Sequence, residues 1–107
     1  MAQMIKKLEI AAKFLGGELL HMEGFSPQIK WKGEKQYHIR VFNPHEKEGR
    51  HWLVEILRKF SPEQRNNYLG KMAKLCPVYD IMGQCFWIAT APSDICFDCI
   101  MEVLNND

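Results

Sequence analysis

The sequence lacks a long apolar run, and this absence limits where the protein can act. No apolar run reaches the roughly 18 residues that a membrane-spanning helix needs. Charges interrupt the apolar residues of the first twenty positions, and no signal-peptide cleavage region follows them. We therefore expect a cytoplasmic protein without a membrane partner. The four cysteines agree with that compartment, where free thiols persist.

Familiar catalytic patterns are also missing. The glycine-containing stretches "LGG" and "MGQ" lack the spacing and the Lys-Ser/Thr pair of a phosphate-binding loop. No Gly-x-Ser-x-Gly elbow occurs. His45, Glu46, Glu48 and His51 are metal-ligand types, but their spacing does not match a His-Glu-x-x-His site. We predict that the protein is not an enzyme, has no catalytic residue, and holds neither a metal nor a cofactor.

Basic residues are absent from the last third of the chain. All 14 Lys and Arg residues lie at or before Lys74, against eight acids there, whereas the rest carries five acids. A molecule polarised in this way could steer an anionic partner to its basic side. Alternatively, the acidic third is mostly buried, with its charges on one solvated helix face. We favour this second reading for the acidic third and leave the basic part open.

Composition and pattern together predict one α+β domain. The chain has 107 residues, of which 47% are apolar and 25% charged, as in ordinary globular domains. We therefore predict a single domain, residues 1–107, built as a layered sandwich of a small, mainly antiparallel sheet with about four helices. The expected elements are a helix over 2–15, strands at 18–22, 28–32 and 37–42, helices starting near Arg50 and after Ser61, one or two strands in "VYDIMGQCFWIAT", and a last helix in "APSDICFDCIMEVL".

A basic face is predicted on the hairpin of the second and third strands. Strand alternation suggests that Ile29 and Trp31 share one face with the apolar residues of the third strand, Tyr37, Ile39 and Val41. The opposite face would then carry the basic residues Lys30, Lys32, His38 and Arg40. Such a face suits phosphates, nucleic acid or an acidic protein surface. An ordinary solvated sheet face explains the same pattern equally well.

The cysteines of the C-terminal segment allow a redox, metal or core interpretation. Cys96 and Cys99 have the Cys-x-x-Cys spacing, and zinc could recruit Cys76 and Cys85 to the same site. Zinc folds usually use two tight pairs, however, and only one is present. At about 100° per residue, one continuous apolar arc contains Ile95, Cys96, Cys99, Ile100, Val103 and Leu104. We therefore predict that the cysteines belong to the core.

The first helix carries two apolar stripes. Met4, Leu8, Ala12 and Leu15 are expected to pack on the sheet, which leaves Ile10 and Phe14 on the far side. A second copy of the protein in a homodimer could cover this pair, or another segment of the same chain could do so. We favour the homodimer, because so small a domain has few spare elements.

The C-terminal stretch "FWIATAPSDICFDCIMEVL" resembles the closing signature of the phage ABA sandwich family, which comprises small phage-encoded proteins. In that family a strand leads through a Thr-Ala-Pro turn into a helix with a buried cysteine. "EIAAKFLGGEL" is similar to the family's first helix and following strand, and "NPHEKEGRHWLVEILRKFSPEQ" roughly parallels its central helical part. The resemblance implies a layered α/β fold and a phage or prophage origin, hence the cytoplasm of a host cell. It implies no active-site residue.

These observations favour a binding protein over a catalyst. The chain shows a core-forming pattern, no catalytic constellation and a basic hairpin. Small phage proteins of this size often block or titrate a host factor, so the resemblance adds an anti-defence role to the expectation. We predict a non-enzymatic protein that binds a host protein or a small anionic, nucleotide-like ligand. The alternative is a nucleic-acid-binding accessory domain.

Overall fold

The computed structural model describes residues 2–32 and 37–105, which form a three-stranded sheet, five α-helices and one short 3-10 helix. This is the α+β class that the sequence predicts, with one helix more than expected. In chain order the elements are α1 (Ala2–Phe14), β1 (Glu18–Leu20), β2 (Gln28–Lys32), β3 (Tyr37–Val41), the 3-10 helix (Lys47–Gly49), α2 (Arg50–Arg58), α3 (Pro62–Leu75), α4 (Ile81–Thr90) and α5 (Ser93–Asn105).

The sheet is antiparallel, in the order β1-β2-β3, and it buries one face. In the β2–β3 hairpin Ile29 pairs with Arg40, and Lys30 pairs with Ile39. Directly paired residues lie on the same side of a sheet, and alternate residues of a strand share a side. Ile29 is buried, as is Phe42 two positions after Arg40. The face of Ile29 therefore packs on the helices, and the face of Lys30 and Ile39 points outward.

Trp52 joins the helices to this sheet. Its indole N–H donates a 3.0 Å hydrogen bond to the carbonyl oxygen of Val41, at the end of β3. Its ring makes edge contacts with Phe42 at 5.1 Å and with Trp31 at 5.4 Å between centroids. Edge-to-face pairs of this kind stabilise a core beyond the burial of their area. The start of α2 is thereby fixed against the sheet.

The last helix, α5, lies at the centre of the helical layer. It packs against α1, α2 and α3. The apolar arc predicted from the sequence lies on its buried side, which also includes Phe97 and Met101, and the acids Asp94, Asp98 and Glu102 are exposed. Two of these acids form surface ion pairs, Asp98 with Lys7 of α1 and Glu102 with Lys71 of α3. The favoured explanation of the acidic C-terminal third is therefore confirmed for α5, but it is wrong for residues 75–90, none of which is buried.

The strand prediction for "VYDIMGQCFWIAT" is wrong, because residues Ile81–Thr90 form the helix α4. Asp80 is its N-cap, and the carboxylate accepts a 2.8 Å hydrogen bond from the backbone N–H of Gly83. Gly83, which the sequence suggests as a break, is the third residue of the helix. A Cβ there would collide with Val78 and lie 2.7 Å from the Asp80 carboxylate. Short apolar runs do not distinguish a strand from a helix by periodicity alone.

Within the described ranges, no helix is both long enough and apolar enough to cross a membrane.

Candidate functional site: the apolar surface of α4

The helix α4 carries the most unusual surface of the molecule. It contains no charged residue, and none of its ten side chains is fully buried. Six residues on one half of the helix are exposed: Ile81, Met82, Cys85, Phe86, Ala89 and Thr90. The large ones are mostly in solvent, with Ile81 77%, Met82 81% and Phe86 72% exposed. We call Ile81, Met82, Cys85, Phe86 and Ala89 the α4 ridge.

An exposed apolar surface such as the α4 ridge is expected to be covered by a binding partner. A helix that is apolar all round is normally buried, and a contiguous apolar patch normally marks an interaction site. The accessible surface of the chain is 7594 Å². A compact monomer of its 12.5 kDa mass would expose only about 6,200 Å². The chain therefore exposes about 1,400 Å² more than a compact monomer of its mass, and the exposed α4 ridge contributes to this excess.

The ridge is held in a fixed position on the molecule. Trp87 and Ile88, on the inner side of α4, are partly buried against the core. The guanidinium of Arg50, at the start of α2, donates hydrogen bonds to the carbonyl oxygens of Ala91 at 2.6 Å and Ala89 at 2.8 Å. These carbonyls form the negative end of the helix dipole, so a cation there is favourable. The side chains of the ridge are therefore presented by an anchored element.

A groove between α2 and α3 continues this surface. Its cavity measures about 370 Å³ and reaches α4 at Ile88 and Ala89. The α2 wall consists of Leu53, Val54 and Leu57, and the α3 wall of Tyr68 and Leu69. Among the residues that the structure describes, two charged ones line it, Arg50 and Arg65. We call this cavity the α2–α3 groove, and it adds an apolar depression with a basic edge beside the α4 ridge.

The Tyr68 hydroxyl, at the floor of the groove, stays protonated at physiological pH because its pKa is raised. Burial raises the pKa of the Tyr68 hydroxyl, and its hydrogen bond with Cys96 raises it further. The Cys96 thiol in turn donates to the carbonyl oxygen of Ala91, with the two atoms 3.7 Å apart. Both side chains therefore satisfy their polar atoms locally, and the charges available to a ligand come from the two arginines.

The predicted basic face of the hairpin is divided by the strand register. Lys30 lies with Ile39 on the outer face, whereas Arg40 lies with Ile29 on the face that meets the helices. The side chains of Lys32 and His38 lie outside the described residues. The expected face sharing is wrong because the strand register pairs odd positions of β2 with even positions of β3. Burial of Phe42 requires this register, and it leaves Ile39 and Val41 exposed.

The predicted interface pair on α1 is also divided. Ile10 is 36% exposed, at the edge of a shallow cavity near β1. Phe14 is partly buried, and its ring makes an edge contact with Phe60 at 5.6 Å. Because Phe60 follows α2, Phe14 is covered by another segment of the same chain and not by a second copy. The two residues do not form one exposed patch.

The cysteines are confirmed as core only in part. Cys96 and Cys99 are each 3% exposed, and burial raises the pKa of the Cys99 thiol. Cys85 is exposed on the α4 ridge and Cys76 is partly buried, so the core prediction is wrong for Cys85. Among the described residues, no three His, Cys, Asp or Glu side chains lie close enough together to hold a metal ion.

The α4 ridge is the surface that sequence reasoning missed. A signal for it was present, because all thirteen residues between Asp80 and Asp94 are uncharged. Asp80 stands three residues before Gly83, the spacing of an N-cap and its backbone donor. Interpreted as a helix start, this pattern predicts an uncharged helix whose apolar side chains must be covered by other elements or by a partner. Interpreted as strands, the same residues are predicted to lie in the core.

Comparison with protein-family models, curated proteins and solved structures found no match. The resemblance to phage ABA sandwich proteins therefore stays a prediction. One part of it differs from the structure, since the segment before the Thr90-Ala91-Pro92 turn is α4 rather than a strand. The helix after the turn does carry buried cysteines, Cys96 and Cys99.

Proposed function

We propose that this chain is a non-enzymatic binding protein that recognises another protein through the α4 ridge and thereby blocks or sequesters it. One observation carries the proposal: an uncharged helix, anchored by Arg50, exposes its most apolar half. If the chain is phage-encoded, as the sequence resemblance implies, the partner is a host protein and an anti-defence role is consistent with such binding.

The composition of the ridge suits a protein interface. Interface centres are depleted of charge and enriched in aromatic residues and Met, which Phe86 and Met82 supply here. Cys85 and Ala89 are small, so a partner can approach the helix backbone beside the larger side chains of the ridge. No charge has to be desolvated when the ridge is covered. Binding is therefore expected to depend on apolar burial and only weakly on salt.

The same surface does not suit a polyanion. Nucleic-acid affinity depends on Lys and Arg contacts with phosphates, and the α4 ridge has none. The basic hairpin face was the basis for the nucleic-acid alternative, and Lys30 and Arg40 lie on opposite faces of the sheet. A protein partner is therefore the better supported of the two.

The state of the cysteines supports binding rather than catalysis. A thiol acts as a nucleophile only as its thiolate. Burial disfavours the thiolate of Cys99, and the Cys96 thiol donates to a backbone carbonyl. Cys85 is exposed, but it stands among Met82, Phe86 and Ala89 with no charged residue on its helix. These settings favour a packing role for Cys96 and Cys99 and a contact role for Cys85 on the α4 ridge.

A photo-crosslinker attached to Cys85 tests the proposal, since this thiol lies in the middle of the α4 ridge. Cys76→Ser removes the other accessible thiol, and the labelled protein is exposed to a lysate of the cells in which it is naturally made. We expect a specific protein to be captured and identified by mass spectrometry. Excess unlabelled wild type should compete with this capture, and excess Phe86→Glu should not.

The matched control places the label on the outer face of the sheet. Ile39 is 55% exposed, so Ile39→Cys in a Cys85→Ser, Cys76→Ser background offers a comparable apolar site away from α4. Capture of the same proteins from both positions would contradict recognition by the ridge. So would crosslinking of Cys85 only to a second copy of the chain, because the ridge would then serve self-association.

A further inference from the structure

We infer that the α2–α3 groove receives an amphipathic helix of the partner, with acidic residues flanking the helix's apolar face. The inference rests on the proposed function, because the groove and the α4 ridge meet at Ala89 and form one surface. It adds the chemistry of the partner, which the ridge alone does not reveal.

The shape of the groove fits a helix. Its α2 wall presents Arg50, Leu53, Val54 and Leu57, at positions i, i+3, i+4 and i+7 of one helix face. Two helical walls of this kind leave spaces between their rows of side chains, into which the side chains of a third helix can pack. Apolar anchors laid into such a groove are a recurrent mode of peptide recognition. The volume of about 370 Å³ has room for a few apolar side chains.

The charge of the groove favours a partner helix with acidic residues beside its apolar face. Within residues 2–32 and 37–105, the charged residues that line it are Arg50 and Arg65. The acids of its two wall helices, Glu55 on α2 and Glu63 on α3, lie on the opposite sides of those helices. Arg50 is engaged by two carbonyl groups of the α4 end. Lysine or arginine residues beside the apolar face of the partner helix would therefore be repelled by these arginines. The acids of α2 and α3 point away and would not offset that repulsion.

Arg65 is the residue that can pair with the partner. It is exposed, and among the described residues it forms no ion pair. A guanidinium offers a carboxylate two parallel hydrogen bonds. A glutamate or aspartate beside the apolar face of an inserted helix would reach it at the groove edge. Charge complementarity of this type sets partner choice and orientation more than total affinity.

Two synthetic peptides test the inference. Both are fluorescein-labelled, have leucine at i, i+3, i+4 and i+7, and are about 18 residues long, enough to form a helix. One carries glutamates beside the leucines and the other carries lysines at the same positions. Fluorescence anisotropy with the wild type should show the glutamate peptide binding tighter by about threefold or more, the scale of an exposed ion pair. Arg65→Glu should reverse that order.

A neutral substitution tests the apolar part. Val54→Gln removes apolar area from the groove at a half-exposed helix position, and we expect it to weaken both peptides. Ile39→Gln, on the outer face of the sheet, should weaken neither. Equal affinity of the wild type for the two peptides would overturn the inference. An unchanged preference in Arg65→Glu, or unchanged binding in Val54→Gln, would do the same.

The two proposals can fail separately. Peptide binding that Phe86→Glu abolishes and Val54→Gln leaves intact would move the helix site to the α4 ridge, contradicting the groove and sparing the proposed function. Peptide binding that follows Val54 and Arg65, combined with no specific capture at Cys85, would contradict the ridge as a docking surface and leave the groove as the site.

Discussion

The guanidinium of Arg50 donates a 2.8 Å hydrogen bond to the carbonyl oxygen of Ala89, joining the start of α2 to the end of α4. A second bond, of 2.6 Å, reaches Ala91. Through this pair of contacts one side chain both holds α4 in place and supplies charge at the edge of the α2–α3 groove. The ridge and the groove are therefore coupled by one charged residue, which lines the groove and holds the helix that carries the ridge.

Arg50→Met is expected to loosen α4 selectively. Losing two hydrogen bonds from a charged donor should lower the free energy of unfolding by about 1–3 kcal/mol. Hydrogen–deuterium exchange should rise within residues 81–90 more than in α5. Arg58→Met is the matched control, because Arg58 forms an exposed surface pair with Glu55, and its loss should cost under about 1 kcal/mol. Uniform exchange changes across both helices in Arg50→Met would contradict a local role.

Two glycines should respond to alanine with opposite signs. Nothing lies within 4 Å of a Cβ placed at Gly70, inside α3, so Gly70→Ala should stabilise by about 1 kcal/mol through helix propensity. At Gly83 the added methyl group meets Val78 and the Asp80 carboxylate that caps α4. Gly83→Ala should therefore lose the cap, at a cost of about 1 kcal/mol or more. Urea unfolding of both variants measures this, and stabilisation of both would be contrary to the expectation.

Most of the fold was predictable from the sequence, because its signals are local. Gly16 and Gly17 end the first helix as expected, and the N–H of Gly17 bonds the carbonyl oxygen of Ala12. Ser61 and Gln64 form the expected capping box before α3. Each of these helix ends depends on residues that are close together in the sequence and have known conformational preferences.

The site was not predictable by the same means. The face on which Lys30 and Arg40 lie depends on strand register, which a single slip inverts, and the deciding residue is the buried Phe42. The location of the α4 ridge depends on tertiary packing, since the pattern of an apolar run does not say whether it ends up inside. Phe86 has the composition of a core residue, yet it is exposed.

Cys99→Ser should destabilise the protein by about 1–3 kcal/mol, because it places a hydroxyl in a buried apolar setting. Cys85→Ser is the control, since Cys85 is exposed and the change should stay within about 0.5 kcal/mol. Native thiol labelling should follow the same division, with Cys85 fast and Cys96 and Cys99 slow. Fast labelling of Cys99 in the folded protein would contradict its burial.

Stability should fall in alkaline solution. Burial raises the pKa of Cys99 and that of Tyr68, so the folded state keeps protons that the unfolded state loses above about pH 8.5 and pH 10 respectively. The free energy of unfolding must then decrease as pH rises through this range. Urea unfolding between pH 7 and pH 10.5 measures the loss, and Tyr68→Phe should remove the part above about pH 10. A loss of equal size in Tyr68→Phe would contradict the assignment to Tyr68.

The central claim is that the α4 ridge binds a partner protein, and the affinity of a Phe86 variant tests it most directly. The measured quantity is the dissociation constant of the protein captured at Cys85, for the wild type, Phe86→Glu and Ile39→Glu. Both positions are exposed, so circular dichroism should show all three folded. If Phe86 is an interface hot spot, Phe86→Glu raises the dissociation constant at least about 30-fold, whereas Ile39→Glu changes it less than about twofold. Wild-type affinity in Phe86→Glu, or equal weakening by both variants, would contradict the claim.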